Sequence, residues 1–136
     1  MSFKTKNIDS SLPTGTLVKG SDNRIYVISA KNRYWIQSAK IFNELGLQWS
    51  WVKKVSDNTL MDYKKIGNIT DSRKHPDGML IKYEGNPTVY LMENGQKRPI
   101  LSKKAFDKNG FNWARIILIK AKNANQFNYA TGANIQ

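Results

Sequence analysis

A chain of 136 residues, 40% hydrophobic and 11% aromatic, is long enough for one ordinary domain or two very small ones with real cores. It contains no cysteine, which excludes disulfides, thiol catalysis and zinc–thiolate sites, and no run approaches the ~18 apolar residues that span a bilayer. With 22 basic and 10 acidic residues its formal charge is +12, a surface that either attracts polyanions or simply keeps a small protein dissolved.

The opening residues, MSFKTKNIDSSLPTG, are polar and lack an apolar h-region, so 1–12 reads as an arm without a secretion signal. GTLVK (15–19) then predicts a short strand after a glycine turn. RIYVIS (24–29), rich in β-branched and aromatic residues, predicts a second strand, with KNRYWIQ (31–37) on the hairpin behind it. Ser38 is placed to cap a short helix whose apolar face is Ile41, Phe42 and Leu45, and Gly46 fits its C′ position. WSWVKKV (49–55) leads toward a polar stretch, where Asp57 is placed to cap a further helix, DNTLMDY. TDSRKHPD (70–77) is polar and turn-rich and reads as a solvated linker.

Beyond it the same order returns at an offset of 63 and then 64 residues. PTGTLVKG lies over PDGMLIKY, and RIYVISAKNRYWIQSAKIFNELGLQWSWV lies over TVYLMENGQKRPILSKKAFDKNGFNWARI. Asn94-Gly95 suits a type I′ hairpin turn, Pro99 implies a strand at or near an edge, Ser102 is the second N-cap and Gly110 the second C′ glycine. The expected organisation is repeat 1 at 13–70, a linker at 71–75 and repeat 2 at 76–136. The expected fold is α+β: two tandem β-β-β-α repeats with small antiparallel sheets and short helices, packed as one pseudo-two-fold unit.

The pattern DG-x-L-[IV]-K, VYL-x-x-NGQKRPI-x-S, F-x-x-x-G-[FL]-x-W, G-x-I resembles a tandem repeat of bacterial cell-surface and secreted proteins. The second copy matches it best, through DGMLIK, VYLMENGQKRPI and FDKNGFNW. The first departs at its turn, where Tyr34-Trp35 replaces Arg-Pro. The resemblance implies an extracellular or surface address and a wall-attachment or carbohydrate-binding accessory role, with no catalytic residue to carry over. The polar start leaves a cytoplasmic address open.

Chemistry is sparse. The single histidine, His75, has Ser72 and Asp71 or Asp77 beside it, but a triad needs side chains converging from separate elements. No catalytic residue, metal site or cofactor is expected, because the acids are scattered and no phosphate-cradling glycine motif occurs. Aromatics that recur in register read as structural core: Tyr26, Phe42, Trp49, Tyr90, Phe106 and Trp113. Trp35 and Trp51 lie over Pro99 and Arg115, so the repeat does not require them. They could form an interface between units, stack on sugars or bases, or pack half-exposed.

With the basic hairpins they make the expected ligand-contact set: Arg33, Tyr34, Trp35, Trp51, Lys97, Arg98 and Arg115. The same charges could instead discourage edge-to-edge strand pairing. The leading expectation is a non-catalytic module for a glycan, wall polysaccharide above others. Its rivals are a small basic nucleic-acid-binding protein and a self-assembling surface subunit. Only 5 of the 22 cations are arginines, so polyanion binding would be loose and salt-sensitive.

Overall fold

A computed structural model of the chain describes residues 12–136, so most of the expected 1–12 arm lies outside the described residues. The protein is α+β, with two five-stranded mixed sheets in two compact units, one ending at Ser72 and the other spanning Arg73–Gln136.

In the first unit β1 (Leu17–Lys19), β2 (Ile25–Ser29) and β3 (Asn32–Ile36) form an antiparallel meander. The chain continues through α1 (Ala39–Glu44), a 3-10 turn (Trp49–Trp51), β4 (Lys53–Lys54), α2 (Asp57–Met61) and β5 (Lys64–Ile69). β4 adds to β1 and β5 adds to β3, both in parallel, giving the order β4-β1-β2-β3-β5. The second unit runs β6 (Leu80–Tyr83), β7 (Val89–Glu93), β8 (Gln96–Ile100), α3 (Lys103–Lys108), a 3-10 turn (Trp113–Arg115), β9 (Ile116–Ile119), a 3-10 turn (Ala121–Asn123) and β10 (Ala130–Thr131). From the matching edge its order is β9-β6-β7-β8-β10, again with both outer strands parallel to their neighbours. The expected antiparallel sheets are therefore corrected to mixed ones. The missed strands left little pattern: β4 is two exposed lysines, β5 reads KKIGNI, and β10 pairs at only two positions.

Local chemistry accounts for the rest. Ser38 and Ser102 accept from the Ile41 and Ala105 N–H groups at 3.1 and 3.0 Å, and Gly46 and Gly110 take φ of 80° and 74° just past the helices. The cap of α2 is Ser56, not Asp57: its Oγ accepts from the Thr59 N–H at 3.1 Å. Asp57 instead accepts the Ser21 backbone N–H at 2.9 Å and its hydroxyl at 2.7 Å, and these bonds hold its carboxyl below the usual range. Pro99 explains why β10 is short. Its carbonyl accepts from the Ile135 N–H at 2.9 Å, and a strand residue's N and O face the same side, so the missing N–H interrupts that ladder. β5, opposite Trp35, pairs along five positions.

Strand alternation puts Val18, Tyr26 and Ile28 on one face of the first sheet, where Leu60 and Tyr63 from the α2 region close the core. In the second sheet Leu80, Val89 and Ile100 receive Ala105 and Phe106 of α3. Both hairpins use two-residue turns, but Asn94-Gly95 takes φ of 54° and 77°, as type I′ requires, whereas Ala30 is forced to φ 55°. Left-handed geometry costs an alanine roughly 1 kcal/mol. Ala30→Gly is expected to stabilise the protein by up to about 1 kcal/mol, seen as a higher urea midpoint at unchanged slope. An unchanged or lower midpoint would contradict the strain.

Candidate functional site

The F-x-x-x-G-[FL]-x-W segment builds the same surface feature in both units. Phe42 and Phe106 are buried on the short helices, 1% exposed each. After the C′ glycine the chain doubles back and lays an indole flat on each phenyl ring. Trp49 stacks on Phe42 with centroids 3.9 Å apart, and Trp113 on Phe106 at 3.7 Å. Each indole N–H is tied to the helix at 3.1 Å, Trp49 to Asn43 Oδ1 and Trp113 to Asp107 Oδ1. One ring face and the polar edge are thus used internally, while half of each indole's surface stays exposed. The Asp107 carboxylate also accepts Lys103 Nζ at 2.7 Å, and the Lys103 and Trp113 hydrogen bonds lower its pKa.

Beside each indole lies a cleft. The first, about 530 Å³, lies among Asp22, Arg24, Trp35, Ile36, Phe42 and Trp49. The second, about 270 Å³, lies among Pro87, Thr88, Ile100, Lys103, Phe106 and Trp113. Most lining positions correspond in the alignment: Ile36 with Ile100, Phe42 with Phe106, Trp49 with Trp113. Trp49 and Trp113 are therefore corrected from core to exposed platform, while Tyr26, Phe42 and Phe106 are core and Tyr90 is half-buried. Trp51, expected to be free for ligand, is buried at 7% exposure. The reason is the 3-10 turn: with three residues per turn, side chains two apart point about a third of a turn from each other, so only one indole faces out.

The other expected contact residues mostly turn inward. Arg33 lies over the Tyr26 ring at 5.0 Å and donates to the Leu60 carbonyl and, at 2.5 Å, the Tyr63 carbonyl. Lys97, at the equivalent position, sits 5.6 and 5.7 Å from the Tyr83 and Tyr90 rings and donates to the Tyr129 carbonyl at 2.5 Å. Arg98 pairs with Glu93 at 2.6 Å and donates to the Ala133 carbonyl at 3.0 Å. Tyr34 is half-buried and packs over Gly67 at the β3–β5 bulge. Arg115 is half-buried at the end of its 3-10 turn. Arg33, Lys97 and Arg98 thus hold the returning segments against the sheets, bonds that a ligand would have to displace. Trp35 lines the first cleft, with the Arg24 guanidinium 4.9 Å over its ring.

His75 is also corrected: it is 3% exposed and not in solvent. Its Nδ1 pairs with the Tyr129 hydroxyl at 2.7 Å, its backbone N–H donates to the same oxygen at 2.8 Å, and its ring packs on Phe127 at 4.6 Å. It anchors the start of the second unit to that unit's C-terminal segment. Burial pushes the Tyr129 pKa up to about 12. Among the described residues no group of three or more His, Cys, Asp or Glu could hold a metal, and no helix is long and apolar enough to cross a membrane. Comparison with protein-family models, curated proteins and solved structures found no match.

The two indoles of the first unit should separate in stability measurements. Trp51→Ala is expected to cost about 3–5 kcal/mol, as for a large core truncation, and Trp49→Ala about 1–2 kcal/mol, from a stack and partial burial. Equal losses in chemical denaturation would remove the distinction. Acid should distinguish Trp113 from Trp49. A depressed folded-state pKa makes Asp107's stabilisation complete above the usual carboxylate range and lost as pH falls through the lowered value. The Trp113 Nε1–H NMR resonance should therefore shift in that window, while the Asn43-bound Trp49 resonance stays put. Parallel movement of both would contradict this.

Proposed function

We infer that the protein is a non-catalytic binding module for a glycan, with one sugar-binding cleft in each unit. The observation that carries this reading is the recurrence of an exposed indole, fixed by a phenyl ring beneath and a hydrogen bond at its edge, beside a cleft in both units. An aromatic plane suits the apolar C–H face of a pyranose ring, and polar groups at its margin suit the hydroxyls. Pre-orientation matters because a loose side chain would lose rotamer entropy on binding. The matching strand order of the two sheets supports the finer fold reading, a tandem duplication of a β-β-β-α unit with two added parallel strands. The resemblance to bacterial surface repeats supports a wall or extracellular polysaccharide as the ligand.

The inward commitment of Arg33, Lys97 and Arg98 weakens the nucleic-acid alternative, since those cations would have supplied its phosphate contacts. The test is isothermal titration with wall polysaccharide and soluble oligosaccharides at two salt concentrations. Trp49→Ala and Trp113→Ala should each weaken binding by about five-fold or more, as the loss of one stacked ring implies, and the double variant should abolish it. Binding unaffected by the double variant would end this reading. Nucleic-acid affinity falling log-linearly with salt would favour the first rival, and concentration-dependent sedimentation the second.

A further inference from the structure

The two clefts differ in ways that bear on what each can hold, and we propose that the first is selective for acidic sugars, with Arg24 as the residue that receives the sugar's anionic group. This rests on the glycan reading above and deepens it. The first cleft has about twice the volume of the second. Its additional wall comes from Trp35, whose counterpart is Pro99, and its rim comes from Asp22, Asn23 and Arg24, whose counterparts are Asn86, Pro87 and Thr88. Only the first rim carries a guanidinium.

That guanidinium is held by an aromatic face rather than consumed by an acid. It lies 4.9 Å over the Trp35 ring. Asp22 stands 3.9 Å from its Nε, beyond hydrogen-bond reach, and Asp22 Oδ1 accepts the Arg24 backbone N–H at 3.0 Å. Both side chains are more than half exposed, so the pair is loose. Arg24 lines the cleft and its side chain is more than half exposed, so its N–H groups are open to a carboxylate or sulfate, which the planar fork can take in two bonds. Trp49 and Arg24 line the same cleft, so an oligosaccharide seated on Trp49 and extending along it would bring an acidic substituent to that fork.

The second cleft lacks this device. Its cation, Lys103, is bonded at 2.7 Å to Asp107, which also holds the Trp113 indole, so using Lys103 for a ligand would loosen the platform. The first unit has Ala39 and Asn43 at those positions, both uncharged. The second cleft is accordingly the site for a neutral ring.

The probes are a galacturonic acid oligomer and its methyl ester, which share a backbone and differ in charge. Each is titrated into wild type, Arg24→Gln, Arg24→Lys and Trp113→Ala, with near-UV circular dichroism to verify folding. Arg24→Gln should weaken binding of the acid by about ten-fold or more, as loss of a charged hydrogen-bond donor implies, and leave the ester within about two-fold. Arg24→Lys should recover part of the acid affinity, because it keeps the charge and loses the fork. Trp113→Ala, which disables the neutral-ring cleft, should weaken the ester more than the acid and so keep or enlarge the preference for acid. Equal effects of Arg24→Gln on both oligomers, or an acid preference lost with Trp113→Ala and kept with Arg24→Gln, would overturn the assignment while leaving glycan binding intact. Binding of neither oligomer by wild type at low salt would overturn this assignment and count against the glycan reading itself.

Discussion

The stack of an indole on a helical phenylalanine is what each unit turns on. A six-residue helix is too short to be held by propensity and persists only through its packing. Phe42 and Phe106 supply that packing, trapped between the sheet and an indole from the next turn. The C′ glycine lets the chain reverse, the indole closes over the ring, and the 3-10 turn then sends the backbone to the free edge of β1 or β6. The direction of that return makes the outer strand parallel. The mixed sheet and the exposed platform are therefore two results of one local arrangement: an indole whose inner face is spent on a phenyl ring has its outer face toward solvent.

Much of the scaffold was legible. Serine caps, C′ glycines, the Asn94-Gly95 turn and the β-branched hairpins each follow from local chemistry that does not depend on the rest of the molecule. Two of the parallel outer strands, β4 and β10, were not legible, because an edge strand two residues long takes its definition from its partner and not from its own pattern. The platform was misread for a different reason. Recurrence of a tryptophan in both halves reads as a demand of the core, yet recurrence says only that both halves use the residue. The signal that could have found it is the acceptor six residues earlier, Asn43 or Asp107, matched to an indole N–H in both units. A fully buried ring with no such acceptor would have been placed differently.

The charge is ambiguous in a comparable way. Arg33, Lys97 and Arg98 stand on hairpins beside aromatics, the composition of a polyanion shelf. Long cationic side chains also reach across apolar surface to backbone carbonyls, and here the carbonyls of Leu60, Tyr63, Tyr129 and Ala133 claim them. These contacts secure segments that carry few apolar anchors of their own. Composition cannot distinguish a cation that waits for a ligand from one that holds its own chain.

The two units differ more on one face of their sheets than on the other. On one face, α2 with Leu60 and Tyr63 closes the first unit, while the corresponding part of the second is closed by a 3-10 turn, Phe127, Tyr129 and His75. These are different solutions to covering apolar strand residues, and either would satisfy a core. The other face keeps its capping serine, its phenyl ring, its glycine and its indole, with an acceptor for the indole N–H in each unit. Covering a sheet does not require an indole to be half in water and bonded at its edge. If the units are copies, as proposed, the side that tolerated rebuilding is the scaffold side. The side kept beyond what packing needs is the one that carries the indole platforms.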